Sequence, residues 1–162
     1  MKILGINCMN HDAAMAVVDF SSGVGEVLWA AHAERYSKVK NDHYLNWAIV
    51  NEAMTYGPFH KVVYYEKPWL KKTRQLYAGQ WSDAFSYTEL PQWHLDHFGI
   101  KIDEYVKHHD SHAAAGYFTS PFREATILTV DAIGEWDTVS ISTAEKIWIE
   151  RKETIQYPHS IG

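Results

Sequence analysis

Cysteine is nearly missing: Cys8 is the one copy in 162 residues. That excludes an internal disulfide framework and suits a reducing compartment. No apolar run comes near the roughly 18 residues that a bilayer-spanning helix needs. The opening MKILGIN carries one lysine and a few apolar residues, but Gly5, Asn7 and Asn10 interrupt it too soon for a signal peptide. Positive charge is also short: 15 Lys and Arg stand against 20 Asp and Glu, a formal net charge of −5. This balance argues against a nonspecific grip on nucleic-acid phosphate as the main activity. A P-loop is absent, as are G-x-G-x-x-G and a serine in a nucleophile-elbow pattern. The expectation is a soluble, cytoplasmic domain that engages neither membrane nor nucleic acid.

What is present is globular. A chain with 46% hydrophobic and 22% charged residues can bury a real core at this length. Aromatic residues reach 14%, with 7 Trp and 10 Tyr, a hint of surfaces used for contacts. The pattern predicts α/β. KILGIN reads as a buried strand, AAMAVVDF as a second and EVLWAAHAE as a third, joined by short polar or glycine turns into an antiparallel meander. In YLNWAIVNEAMTYG, Leu45, Ile49, Ala53 and Tyr56 recur at helical spacing before Gly57-Pro58. KVVYYE reads as a strand, PWLKKTRQLYAG as a helix with proline in its first turn, EYVKHH as a short strand and DSHAAAGYFTS as a helix. EATILTVDAIG is a strongly apolar strand with a turn, followed by TVSIST and KIWIERKETIQY. Residues 80–100 are aromatic, mixed and the least readable.

The end of the chain repeats its beginning. ILGIN, a polar turn and AAMAVV are echoed by ILTVD, a polar turn and TVSIST, and EVLWAAHAE by KIWIERKET. The repeat predicts a duplicated fold with a first copy over 1–123 and the opening strands of a second over 124–162.

Chemistry concentrates in VKHHDSHAAAGYF. On a helix, residues four apart share a face, so His108 and His112 can reach one metal ion. Zinc, iron and manganese accept such pairs, commonly with a carboxylate. His109 is one step round and is expected to point elsewhere, toward the substrate side. Asp110 or Ser111 reads equally as the helix N-cap, which leaves His108 and His112 unexplained; ten histidines in the chain make chance pairs common. Asp131, which ends ATILTV and opens the turn DAIGEWDT, is the best third ligand, because α/β proteins place sites at the carboxyl ends of central strands. Gly134 lets that turn be tight, and its exposed amides can receive phosphate oxygens. The first turn, NCMNHDAA, is the equivalent place in the first copy. Its His11 is a candidate general base, with Asp12 beside it, or simply a solvated turn histidine. Arg35, Lys38 and Lys40 of AERYSKVKND offer charge to an anionic group, although such a stretch alone is more often a solvated loop.

Taken together, ILGINxxxHDAA, AERYSKVKND, VVYYEKP, HHDSHAA, SPFREATILTVDAIGEWDT and YPHSIG resemble the amino-terminal part of the O-carbamoyltransferases of the NodU/CmcH type. The resemblance implies the duplicated actin-like ATPase (ribonuclease H-like) fold shared with tRNA threonylcarbamoyl transferases. It implies that carbamoyl phosphate and ATP give carbamoyl adenylate in a carboxy-terminal domain absent here. The actin-like domain then moves the carbamoyl group to a hydroxyl of a small acceptor, a biosynthetic transferase step. His108 and His112 match the family's metal-binding pair and Asp131 its aspartate ligand, for iron(II) or else manganese or zinc. His11, with Asp12, matches the catalytic turn near the acceptor. Gly134, Asp137 and Thr138 match the nucleotide-phosphate loop, and Lys40 falls in the basic stretch.

The sequence also departs from that pattern. Asn41 follows Lys40 where the family commonly has histidine, and His43 comes two positions later. Family members continue well beyond YPHSIG, so this chain alone is expected to be incomplete, working with a missing half or separate polypeptide. Another actin-like ATP-dependent enzyme, one resembling the tRNA threonylcarbamoyl transferases included, and a noncatalytic assembly half of a split protein are the competing readings. Open strand edges of the second sheet favour a homodimer.

Overall fold

Strict alternation in KILGIN puts Leu4 and Ile6 on one face, both buried, and the strand partner places Met15 and Val17 on the same side. This is the start of the fold in a computed structural model that describes residues 1–161. Its elements in chain order are β1 (Lys2–Asn7), β2 (Ala14–Asp19), β3 (Glu26–His32), α1 (Glu34–Ser37), α2 (Trp47–Met54), β4 (Lys61–Tyr64) and α3 (Pro68–Tyr77). There follow α4 (Trp81–Phe85), α5 (Pro91–Asp96), β5 (Glu104–Tyr105), α6 (His108–Phe118), β6 (Glu124–Gly134), β7 (Asp137–Glu145) and β8 (Trp148–Gln156). The expected mixed α/β class is observed.

The chain groups into two compact units. One comprises Met1–Tyr65 with Phe85–Tyr105, the other Glu66–Ala84 with the chain from Val106 onward. In the first, the strand order is β3-β2-β1-β4-β5. The predicted meander β1–β2–β3 is antiparallel, while β4 joins β1 and β5 joins β4 in parallel. Parallel neighbours need a crossover, and α2 provides it between β3 and β4. Asn46 starts α2 by accepting hydrogen bonds from the amides of Ala48 and Ile49, and Ile49, Val50 and Ala53 form its buried face. The core of this unit gathers Leu4, Ile6, Met15, Val17, Ile49, Val50, Tyr64 and Leu95. Tyr64 is fully buried and its hydroxyl donates to the Cys8 carbonyl at 2.5 Å. Much of residues 80–100 is short helix, α4 and α5, with Pro91 and Leu95 of α5 buried.

In the second unit, β6, β7 and β8 form another antiparallel meander, in that order, with α6 packed on β6 and β7. The two meanders share one topology. Two local expectations are corrected here. Helix α6 begins at His108, with Lys107 as its N-cap residue and no side-chain cap from it. Asp110 therefore lies inside the first turn, and Ser111 donates its hydroxyl to the His108 carbonyl at 2.7 Å. Strand β6 does not stop before Asp131 but runs to Gly134, with its ladder to β7 broken between Val130 and Gly134. Among the described residues, no helix is long and apolar enough to cross a membrane.

Candidate metal centre

The ladder break matters because a bulge re-aims side chains. Val130 pairs with Val139 and Gly134 with Asp137, so Asp131 sits in the irregular stretch between them. Its Oδ2 lies 2.8 Å from Nε2 of His108 and 3.9 Å from Nε2 of His112. The two histidine Nε2 atoms are 3.0 Å apart, one helical turn separating their residues on α6. His108, His112 and Asp131 thus bring three ligand atoms within 4.8 Å of one another, the one such cluster of metal-ligating side chains among the described residues.

These separations fit an ion. Ligands bonded at about 2.1 Å in a tetrahedral set stand about 3.4 Å apart, and the three observed spacings bracket that value. Two imidazoles and a carboxylate suit zinc, iron or manganese. His108 is buried while the His112 side chain is 54% exposed, which leaves one side of the cluster open to a substrate or water.

The His108 ring is held from every direction. A Cβ built on Gly134 would fall 2.4 Å from its Cδ2 and 2.8 Å from its Cγ, so the ring rests where only glycine leaves space. Gly134 is expected from the sequence to let the turn be tight; the left-handed residue of this turn is instead Glu135, at φ 51°, and Gly134 serves the close approach of the ring. Glu135 supplies the cap that Lys107 does not. Its Oε1 accepts from the His108 amide at 3.4 Å and from the Lys67 amide at 2.5 Å, serving the starts of both α6 and α3. On the other ring nitrogen, Glu66 Oε2 stands 3.7 Å from His108 Nδ1, and Lys71 is 3.6 Å from Glu66.

The electrostatics follow from this crowding. Burial disfavours charge on His108, but Glu66 and Asp131 outweigh it and the imidazole titrates above its ordinary value. Burial likewise resists charge on Asp131, and His108 overrides it, holding the carboxyl low. Glu66 is also lowered: burial is countered by His108 and Lys71. Glu135 moves the other way, pushed up chiefly by burial.

The remaining predicted site residues fall in two places. His11, Asp12 and Lys40 belong to the first unit. His11 Nδ1 faces Asp12 Oδ2 at 2.8 Å in an exposed turn, with Asp12 in the left-handed region at φ 53°. Lys40 lines an open cleft of about 660 Å³ with Asp12, Arg35 and Lys38. Asp137 and Thr138 belong to the second unit and are buried. Asp137 accepts from Arg151 and from Gln156, the latter at 2.9 Å, and the Thr138 hydroxyl donates to the His159 carbonyl at 2.7 Å. His109 does not face a substrate side: it is 1% exposed, its Nδ1 3.0 Å from the Ser140 hydroxyl of β7. Glu66, Lys71 and Glu135 went unnoticed in the sequence. An acidic residue two positions after strand β4 and another in the β6–β7 turn were the available signals.

The pattern of the carbamoyltransferase N-terminus matches residues 91–162, the stretch that contains His108, His112 and Asp131. An uncharacterized protein of Synechocystis sp., sll1178, is 28% identical over 189 aligned positions, which cover 99% of this chain and 30% of that protein. Among solved structures, an Aquifex aeolicus PPX-GPPA enzyme superposes with a TM-score of 0.50 at 10% identity, over 99% of this chain and 53% of that one. A second Aquifex aeolicus Ppx/GppA phosphatase, the type II variant, gives 0.47 at 12% identity, covering 99% and 53%, and is too distant to add to the argument. The first likeness concerns fold alone and agrees with an actin-like ATPase type of architecture. The chain spans under a third of its curated relative and about half of the solved neighbour.

Proposed function

We propose that this chain, whose residues 91–162 match the carbamoyltransferase N-terminus family, is the amino-terminal portion of a metal-dependent O-carbamoyltransferase. The observation that carries the proposal is the convergence of His108, His112 and Asp131 within the matched stretch. On this reading the fold is the duplicated actin-like one, with its first copy over 1–123 and its second beginning at 124. The protein is cytoplasmic. Its donor is carbamoyl adenylate, made from carbamoyl phosphate and ATP in a carboxy-terminal domain or separate polypeptide, and its acceptor is a small molecule bearing a hydroxyl.

His108, His112 and Asp131 hold a divalent ion, iron(II) first and manganese or zinc as alternatives. Bound there, the ion supplies positive charge for anionic phosphate oxygens. The chain's own residues do the rest. The Glu135–Trp136 turn after Gly134 offers backbone amides to a phosphate; the side chains of Asp137 and Thr138 shape that turn through their bonds to Arg151, Gln156 and His159. Asp12 orients His11 through Nδ1, leaving Nε2 to take the acceptor's proton. The acceptor oxygen bonds to the carbamoyl carbon, the carbon–oxygen bond to the adenylate phosphate breaks, and AMP departs with the electron pair. Lys40 adds charge for an anionic part of a substrate.

The test is anaerobic titration calorimetry of iron(II) and manganese(II) on the chain, beside His108→Ala and His112→Ala variants shown to be folded. One equivalent bound by the wild type and lost in both variants supports the reading. A folded wild type that binds neither ion removes its metal centre.

A further inference from the structure

Glu66 stands outside the ligand set, yet it is only 5% exposed and aimed at a ligand. We propose that Glu66 is a positioning residue, which fixes the His108 ring with Nδ1 toward itself and Nε2 toward the bound ion. The proposal rests on the metal-centre reading above and deepens it.

Three observations carry it. The carboxylates of Glu66 and Asp131 address opposite nitrogens of one imidazole, at 3.7 Å from Nδ1 and 2.8 Å from Nε2. Asp131 and His112 therefore share one side of the ring, and Glu66 addresses the other. The ring cannot turn away, because Gly134 already meets its Cδ2 and Cγ edge. Lys71, one turn into α3 and 3.6 Å from Glu66, supplies the countercharge that lets a buried carboxylate remain an acceptor. A metal-ligating histidine generally gives its second N–H to a carboxylate or carbonyl, which fixes the ring's orientation and the nitrogen left for the metal. Here the carboxylate that faces Nδ1, at an ion-pair distance longer than a hydrogen bond, comes from the β4–α3 connection, a segment distant in sequence from both α6 and β6.

The experiment uses the chain labelled with ¹⁵N-histidine, cobalt(II) as the probe, and the variants Glu66→Gln and Glu66→Asp. In the wild type, the His108 Nδ1–H gives a downfield resonance protected from solvent exchange, with and without cobalt. In Glu66→Gln that resonance moves upfield and exchanges faster, cobalt(II) affinity falls about 10–100-fold, and the visible bands of the bound cobalt change. Glu66→Asp keeps the charge and recovers part of the affinity. A Glu66→Gln chain with the wild-type resonance overturns the proposal. So do equal affinity losses in the two variants, which mark a packing role. If the wild type binds no cobalt, the metal reading fails, while the resonance of the metal-free chain still decides the role of Glu66.

Discussion

Gly134 and His108 are fitted to each other: the absent side chain of one is the space taken by the ring of the other, with only 2.4 Å between Cδ2 and the place of a Cβ. The contact joins the end of β6 to the first residue of α6. Asp131 lies on the same strand three residues earlier, so the ring and its carboxylate partner are set by one piece of backbone. The cluster owes its geometry to this strand end as much as to helical spacing.

Replacement of Gly134 by alanine should therefore act on the metal site directly. Gly134 is not among the residues in the left-handed region, so the change costs no backbone strain; the whole effect is steric. Moving a ring boxed by Glu66 and Asp131 should cost about 1–3 kcal/mol, the usual range for overpacking. Urea unfolding reads this loss, and calorimetry reads weakened manganese(II) binding. Wild-type stability together with wild-type binding would show that the ring has room to move.

The parts legible in the sequence were those governed by local periodicity. Alternation gave β1, β2 and β3 with their antiparallel order, and the spacing of Ile49 and Ala53 gave α2. The four-residue interval of His108 and His112, with an aspartate at the end of an apolar strand, was enough to suggest the cluster. Contacts made across sequence distance were hidden. Asp110 and Ser111 looked like the start of α6 because they are good cap residues, but the cap comes from Glu135, 27 positions away from His108. Nothing local marks Glu66 as a neighbour of His108. The region of α4 and α5 was unreadable because helices of 5 and 6 residues are too short to display a periodic face.

A second consequence concerns pH in the first unit. The Leu45 amide donates to His94 Nε2 at 3.1 Å, which requires that nitrogen to be unprotonated. Burial, helped by His97, holds the His94 pKa below its ordinary value, despite Asp42. Below about pH 6.5 the unfolded chain thus binds more protons than the folded one, and stability falls as pH falls through that window toward the folded pKa. At pH 7.5 the wild type should exceed His94→Gln by about 1 kcal/mol. Urea midpoints measured at pH 7.5 and 5 should show that margin narrowing. A margin independent of pH would mean that His94 titrates alike in the folded and unfolded chain, so that burial does not hold its pKa low.

Arg151 gives the last expectation. From β8 it donates to Asp110 on α6 and to Asp137 on β7, so a single guanidinium ties the helix to its sheet. The Arg151 side chain is 19% exposed and Asp137 is 8% exposed, whereas the Asp110 side chain is 50% exposed, so the inner bond should dominate. Arg151→Met leaves Asp137 with the Gln156 amide as its side-chain donor and a charge that has lost its countercharge. The expected loss is about 1–3 kcal/mol, the range for stranding a buried acceptor. If the missing countercharge is the cause, Arg151→Met combined with Asp137→Asn should recover part of that loss, because the double variant removes the stranded charge. Chemical denaturation of the four forms measures the coupling. Strong coupling fixes Asp137 as a structural partner of Arg151, which leaves the backbone of the turn to meet a phosphate. Additive losses would instead detach Asp137 from the clamp and return its carboxylate to the candidate site.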